Sequence, residues 1–132
     1  MEPSSLLNMV RTMAEAREGR KRLFVIAGEM LELGPEEASL HRAAGREIAD
    51  TGVTVLWGVR GLAGEIVAGA AEAGLSQTRF FASSDEAANE IVKEVRQGDL
   101  VLVKGSRGVA TEKVINALKE RFPLTGEDVS HR

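Results

Sequence analysis

Apolar positions along the chain follow two alternating periods. In SLLNMVRTMAEAREG, residues 5–19, Leu6, Met9, Val10 and Met13 fall at the i, i+3, i+4, i+7 spacing of one helical face, and Gly19 is placed to end that helix. RLFVIAG follows as a strand, and the loop GEMLELGPEE leads to a second helix. Pro35 suits that helix's first position, Glu36 and Glu37 suit its positive end, and the helix is expected to run to about Thr51 and stop at Gly52. VTVLWG, β-branched and apolar on both faces, is the next strand. LAGEIVAGAAEAG predicts a helix of small residues lying close on a sheet, and TRFFA a short third strand. In SSDEAANEIVKEVRQG, Ser83 stands three residues before Glu86, the spacing of a capping box, with Ile91, Val92 and Val95 turned inward. DLVLVKG is the fourth strand, and TEKVINALKERF the last helix, halted by Pro123. The remaining LTGEDVSHR has no apolar period and reads as a frayed tail over residues 123–132.

Short apolar strands separated by helices are most economically buried as a parallel sheet covered on both faces. The expected fold is an α/β, Rossmann-like three-layer sandwich with a mostly parallel sheet. Because the chain opens on a helix and offers only four strands, the domain is expected to lack its first strand.

Composition narrows the chemistry. The 132 residues fit one domain, and cysteine is absent, which removes disulfides, thiolate metal sites and a cysteine nucleophile. A net charge of −3 with interspersed charges, and only 4% aromatic residues, argue against a nucleic-acid partner. No signal-type or membrane-length apolar run occurs, so no membrane partner and a cytoplasmic location are expected.

In an open parallel sheet, ligands gather at the carboxyl ends of the strands. KGSRG places Lys104, Gly105, Ser106 and Arg107 in such a loop, directly before a helix whose first N–H groups are unpaired. Glycine allows close backbone approach, lysine adds a point charge, and arginine a planar fork for a carboxylate or phosphate. A tight turn with solvated cations is the plainer alternative. GEMLELG brings Glu29 and Glu32 into another strand-end loop, with His41 on the following helix. These residues would orient an ammonium group or a water network, or else be helix N-terminal acids beside an ordinary histidine. One histidine with scattered carboxylates is no metal site, and no catalytic triad can be assembled. GVRGLAG only imitates a dinucleotide fingerprint, and its glycines are better explained by close helix–strand packing. The P-loop pattern G-x-x-x-x-G-K-[ST] occurs nowhere.

Read together, VIAGEMLELG with His41 seven residues beyond Gly34, GVRGLAGEIVAGA and GDLVLVKGSRG resemble the C-terminal domain of Mur ligases over about residues 3–122. GEMLELG and LVKGSRG point to the D-alanyl-D-alanine-adding branch of that family. The resemblance implies an ATP- and Mg2+-dependent, ADP-forming amide ligase of peptidoglycan synthesis. Its partners would be the N-terminal and central ATPase domains of the same protein, UDP-muramoyl peptide and D-alanyl-D-alanine. It further implies that Lys104, Gly105, Ser106 and Arg107 lie near the incoming dipeptide, and that Glu29, Glu32 and His41 face the cleft. On this reading the chain supplies no catalytic residue, binds no cofactor tightly and is inactive alone. A strand and an acidic DAYNANP-type segment lie before the first helix in such ligases. Pro3 resembles the last residue of that segment, so the chain reads as a C-terminal piece. Two positions depart from the family pattern: Glu29 stands where Asp is usual, and Glu37 where Ser is usual. The competing expectations are a stand-alone Rossmann-like module for a small molecule or anion, and the related folate or glutamate ligases.

Overall fold

The computed structural model describes residues 3–17, 21–31, 33–105 and 111–123. In chain order the elements are α1 (Pro3–Ala16), β1 (Leu23–Gly28), α2 (Glu37–Ala49), β2 (Val55–Val59), α3 (Ala63–Glu72), β3 (Thr78–Phe81), α4 (Ser84–Glu94), β4 (Leu100–Lys104) and α5 (Glu112–Arg121). The strands form one four-stranded sheet in the order β3-β2-β1-β4, and every pairing is parallel. Strand β1 is buried at all six positions, as its unbroken apolar run predicts.

The pleat divides β1 between two cores. Leu23, Val25 and Ala27 join Leu6 and Val10 of α1, Ile48 of α2 and Ile66 of α3 on one face. Phe24 and Ile26 join Trp57, Phe81, Ile91 of α4 and Val114 of α5 on the other. The result is the expected three-layer sandwich: α1, α2 and α3 on one side, α4 and α5 on the other. Gly58 serves helix–strand packing, since a Cβ there would lie 2.6 Å from the Ala63 carbonyl oxygen and 2.8 Å from Val67 Cγ2.

Helix ends follow local chemistry, with one correction. Ser83 Oγ accepts from the Glu86 N–H at 3.2 Å, the predicted capping interaction. The α2 helix, by contrast, begins at Glu37 rather than Pro35. Pro35 and Glu36 form a preceding turn, closed by the Glu37 N–H donating to the Gly34 carbonyl at 3.2 Å, with Gly34 at φ +84°. The helix also ends earlier than the expected Thr51: Ala49 is its last residue and Asp50 its C-cap, and Gly52, at φ +90°, lies in the turn that follows.

The sheet is open at β4. Met9 and Met13, predicted to face inward, are only half-buried. With Val101, Val103, Leu118 and Phe122 they line a groove of about 1290 Å³ along the outer edge of β4, between α1 and α5.

Candidate functional site

All strands run the same way, so Gly28, Val59, Phe81 and Lys104 end at one edge of the sheet, and the loops leaving them share that edge. Lys104 is half-buried and pairs in register with Ala27. Gly105 lies so near the end of β1 that a Cβ on it would stand 3.2 Å from Gly28 Cα and 3.2 Å from Thr111 Cγ2. The absence of a side chain lets the backbone at Gly105 lie close against the end of β1. Ser106, Arg107 and Glu32 lie outside the described residues. Beyond them α5 starts with Thr111 as N-cap, whose side chain makes no capping hydrogen bond.

The loop after β1 is tied from two directions. The Glu29 carboxylate turns toward α3, where Oε2 accepts the Leu62 N–H at 3.1 Å. Leu62 is the N-cap of α3 and has no side-chain cap of its own, so Glu29 places negative charge at that helix's positive end. His41 is fully buried. Its Nε2 accepts the Met30 N–H at 2.8 Å, and its Nδ1 lies 2.6 Å from the Glu37 carbonyl oxygen. An amide can only donate and a carbonyl can only accept, so the ring is the neutral Nδ1–H tautomer. Both ring nitrogens are thus taken by the backbone. The structure does not join Glu29 and His41 into one polar cluster: the carboxylate reaches α3, while the imidazole lies beneath Met30.

Arg60 was not singled out from the sequence. It is exposed at the carboxyl end of β2 with φ +69°, and its N–H donates to the Phe81 carbonyl at 2.8 Å, tying the ends of β2 and β3. Its sequence signal is only the string GVRG, whose glycines point equally to close packing. Leu31, 44% exposed, is a large apolar side chain at the same edge. No group of three or more His, Asp or Glu side chains among the described residues is arranged to hold a metal ion.

The family described as Mur ligase, glutamate ligase domain, matches residues 2–107, from the first helix through the KGSR loop. The chain belongs to this family. It is 26% identical over 120 residues to the UDP-N-acetylmuramoyl-tripeptide–D-alanyl-D-alanine ligase of Bacillus subtilis, a match covering 89% of this chain and 26% of that protein. Among solved structures it is similar to MurF from Acinetobacter baumannii, with a TM-score of 0.76 and 22% identity over 91% of this chain and 26% of that one. It is also similar to MurF ligase from Thermotoga maritima in complex with ADP, with a TM-score of 0.66 and 21% identity over 87% of this chain and 26% of that one. The chain therefore spans about a quarter of the length of each relative. The Mur ligase family is the one the sequence pattern resembles, and the three-layer parallel architecture is the one it predicts. Among the described residues no helix is long and apolar enough to cross a membrane.

Proposed function

We propose that residues 3–122 form the substrate-positioning domain of a cytoplasmic, ATP-dependent, ADP-forming ligase, with residues 123–132 as its tail. The ligase would join D-alanyl-D-alanine to UDP-N-acetylmuramoyl-tripeptide in peptidoglycan synthesis. The observation that carries this reading is the position of Lys104 and Gly105: they open the family-matched KGSR loop at the sheet edge where the β1 and β2 loops also emerge. Lys104, Ser106 and Arg107 would hold the incoming dipeptide by its carboxylate and leave its amine free. Charge-assisted hydrogen bonds and fixed orientation are what such a domain contributes to amide formation.

The described residues of this chain do not fit a nucleotide or Mg2+ site. The sequence has no P-loop motif, and the described acids and histidine do not converge. ATP, held by the central domain, would supply the activation of the tripeptide carboxyl group. The parts played here are binding, orientation and exclusion of water when the domains close.

The relatives' greater length also leaves room for the strand expected before α1. The steps β1–α2–β2 and β2–α3–β3 move along the sheet in one direction, with α1, α2 and α3 on one face. Crossover connections are right-handed, so a strand feeding α1 would lie on the opposite side of β1, beyond β4. That is where the groove runs. The strand preceding residue 3 is its proposed occupant.

The test is phosphate release. The 132-residue chain alone is expected to release none from ATP, whereas the complete protein should do so only with both UDP-muramoyl-tripeptide and D-alanyl-D-alanine. Steady release by the chain alone, abolished by Arg107→Ala, would overturn the division of labour. Turnover with glutamate in place of the dipeptide would move the protein to another branch.

A further inference from the structure

Glu29 and Met30 are consecutive, yet they are anchored to different helices. The Glu29 side chain ends on the Leu62 N–H at the start of α3, and the Met30 backbone ends on the His41 ring in α2. The two helices are themselves one unit. Gly45 of α2 has no room for a Cβ against the Ile66 carbonyl, nor has Gly69 of α3 against the Arg42 carbonyl. Arg60 and Gly61, at φ +69° and +49°, turn the chain so that the Leu62 N–H meets the β1 loop. At Gly61 a Cβ would overlap the Glu29 carboxylate, which pairs the longer acid at 29 with the bare backbone at 61.

We infer that Glu29 and His41 are positioning residues: together they brace the backbone at residues 29–31 between α3 and α2, and neither touches the incoming substrate. This deepens the proposed function and rests on it for its effect on turnover. The element held is the segment leading to Leu31, a large apolar side chain 44% exposed three residues past the carboxyl end of β1. His41 serves only as the Nδ1–H tautomer, because the other tautomer or the imidazolium would face the Met30 N–H with a second N–H. The sequence expectation that Glu29 and His41 orient a bound ammonium is thereby replaced. Glu29 Oε2 and both His41 nitrogens meet backbone, and a buried ring with both nitrogens engaged has none to offer a ligand.

The experiment combines two readouts. In the wild-type 132-residue chain, ring ¹⁵N spectra should show His41 with a protonated Nδ1 and a bare Nε2; the reverse tautomer or a charged ring would overturn the brace without any variant. His41→Leu keeps apolar volume and removes both bonds, and should lower Met30 amide protection about tenfold. In the complete protein the same change should raise the D-alanyl-D-alanine KM about tenfold, leaving the KM for UDP-muramoyl-tripeptide unchanged. His41→Gln, whose amide oxygen reaches toward the place of Nε2, should restore most of both. A His41→Leu protein with wild-type Met30 protection, or with lost protection and unchanged dipeptide kinetics, would overturn the inference. So would a Gln variant no better than Leu. If the wild-type protein shows no dipeptide-dependent turnover, it is the functional reading that fails, and the ring spectra and Met30 exchange still decide the brace.

Discussion

Arg22 and Asp99 join the amino-terminal ends of β1 and β4, at the edge of the sheet away from the candidate site. The guanidinium donates to both carboxylate oxygens, at 3.1 and 2.7 Å, and also to the Glu94 carbonyl at 3.0 Å. The Arg96 N–H adds a further bond to Asp99 at 2.7 Å. Burial alone would push the Asp99 carboxyl up. The Arg22 hydrogen bond, the Arg96 N–H and the attraction of the guanidinium outweigh it and hold the group below its ordinary value. Arg22 is raised in turn, chiefly by its hydrogen bond to Asp99. A carboxyl lowered in the folded state contributes stability above its unfolded value, near 3.8, and loses it as pH falls through the folded value. The thermal midpoint should therefore hold steady from neutral pH to about pH 5 and decline on the acid side of about pH 4. Asp99→Asn should cost about 1–3 kcal/mol at pH 7 and show a shallower acid decline. Thermal melts of both proteins across that range check it. An Asn variant as stable as wild type at pH 7 would remove the pair from the stability account.

Small residues govern how the elements meet. Since a Cβ at Gly45 or Gly69 would run into backbone rather than a flexible side chain, Gly45→Ala and Gly69→Ala should each destabilise the fold by about 1–3 kcal/mol, measured by urea unfolding. At β4 the Leu100 N–H donates to the Arg22 carbonyl at 2.9 Å, so alternate amides face β1 while those of Val101 and Val103 face the groove. In the 132-residue chain the Val101 and Val103 amides should exchange about tenfold faster than that of Leu102, and slow down in the longer protein if a strand pairs there. Elements of this kind were legible in the sequence where one physical cause acts alone. The unbroken run of β1 means burial on both faces, and Ser83 and Glu86 set a helix start. The start of α2 differs from the sequence expectation because Pro35 suits the turn before the helix as well as its first position. Glycines in helices were harder to read: Gly45 and Gly69 make sense only once α2 lies against α3.

At the scale of the whole molecule, sequence order shows which loops share an edge but not where their side chains turn. Parallel topology alone puts the loops at residues 28–34, 58–61 and 104–108 at the carboxyl ends of strands, and the described parts, residues 28–31, 33–34, 58–61 and 104–105, lie there. It could not show that Glu29 crosses to α3 or that His41 is spent on two backbone groups, because those partners lie far away in sequence or in the peptide units themselves. Arg60 is illegible for the same reason: its left-handed backbone arises from the turn that brings α3 to the β1 loop. The remaining claim is that this edge receives the incoming amino component while another part of the protein activates the acyl group. The most direct measurement is the initial rate of ADP release by the complete protein and its Lys104→Ala variant, as a function of D-alanyl-D-alanine concentration. Loss of one charge-assisted contact, worth about 1.5–3 kcal/mol, predicts a 10- to 150-fold fall in kcat/KM for the dipeptide with the UDP-muramoyl-tripeptide KM unchanged. Identical dipeptide kinetics in the two proteins would contradict the assignment of this edge.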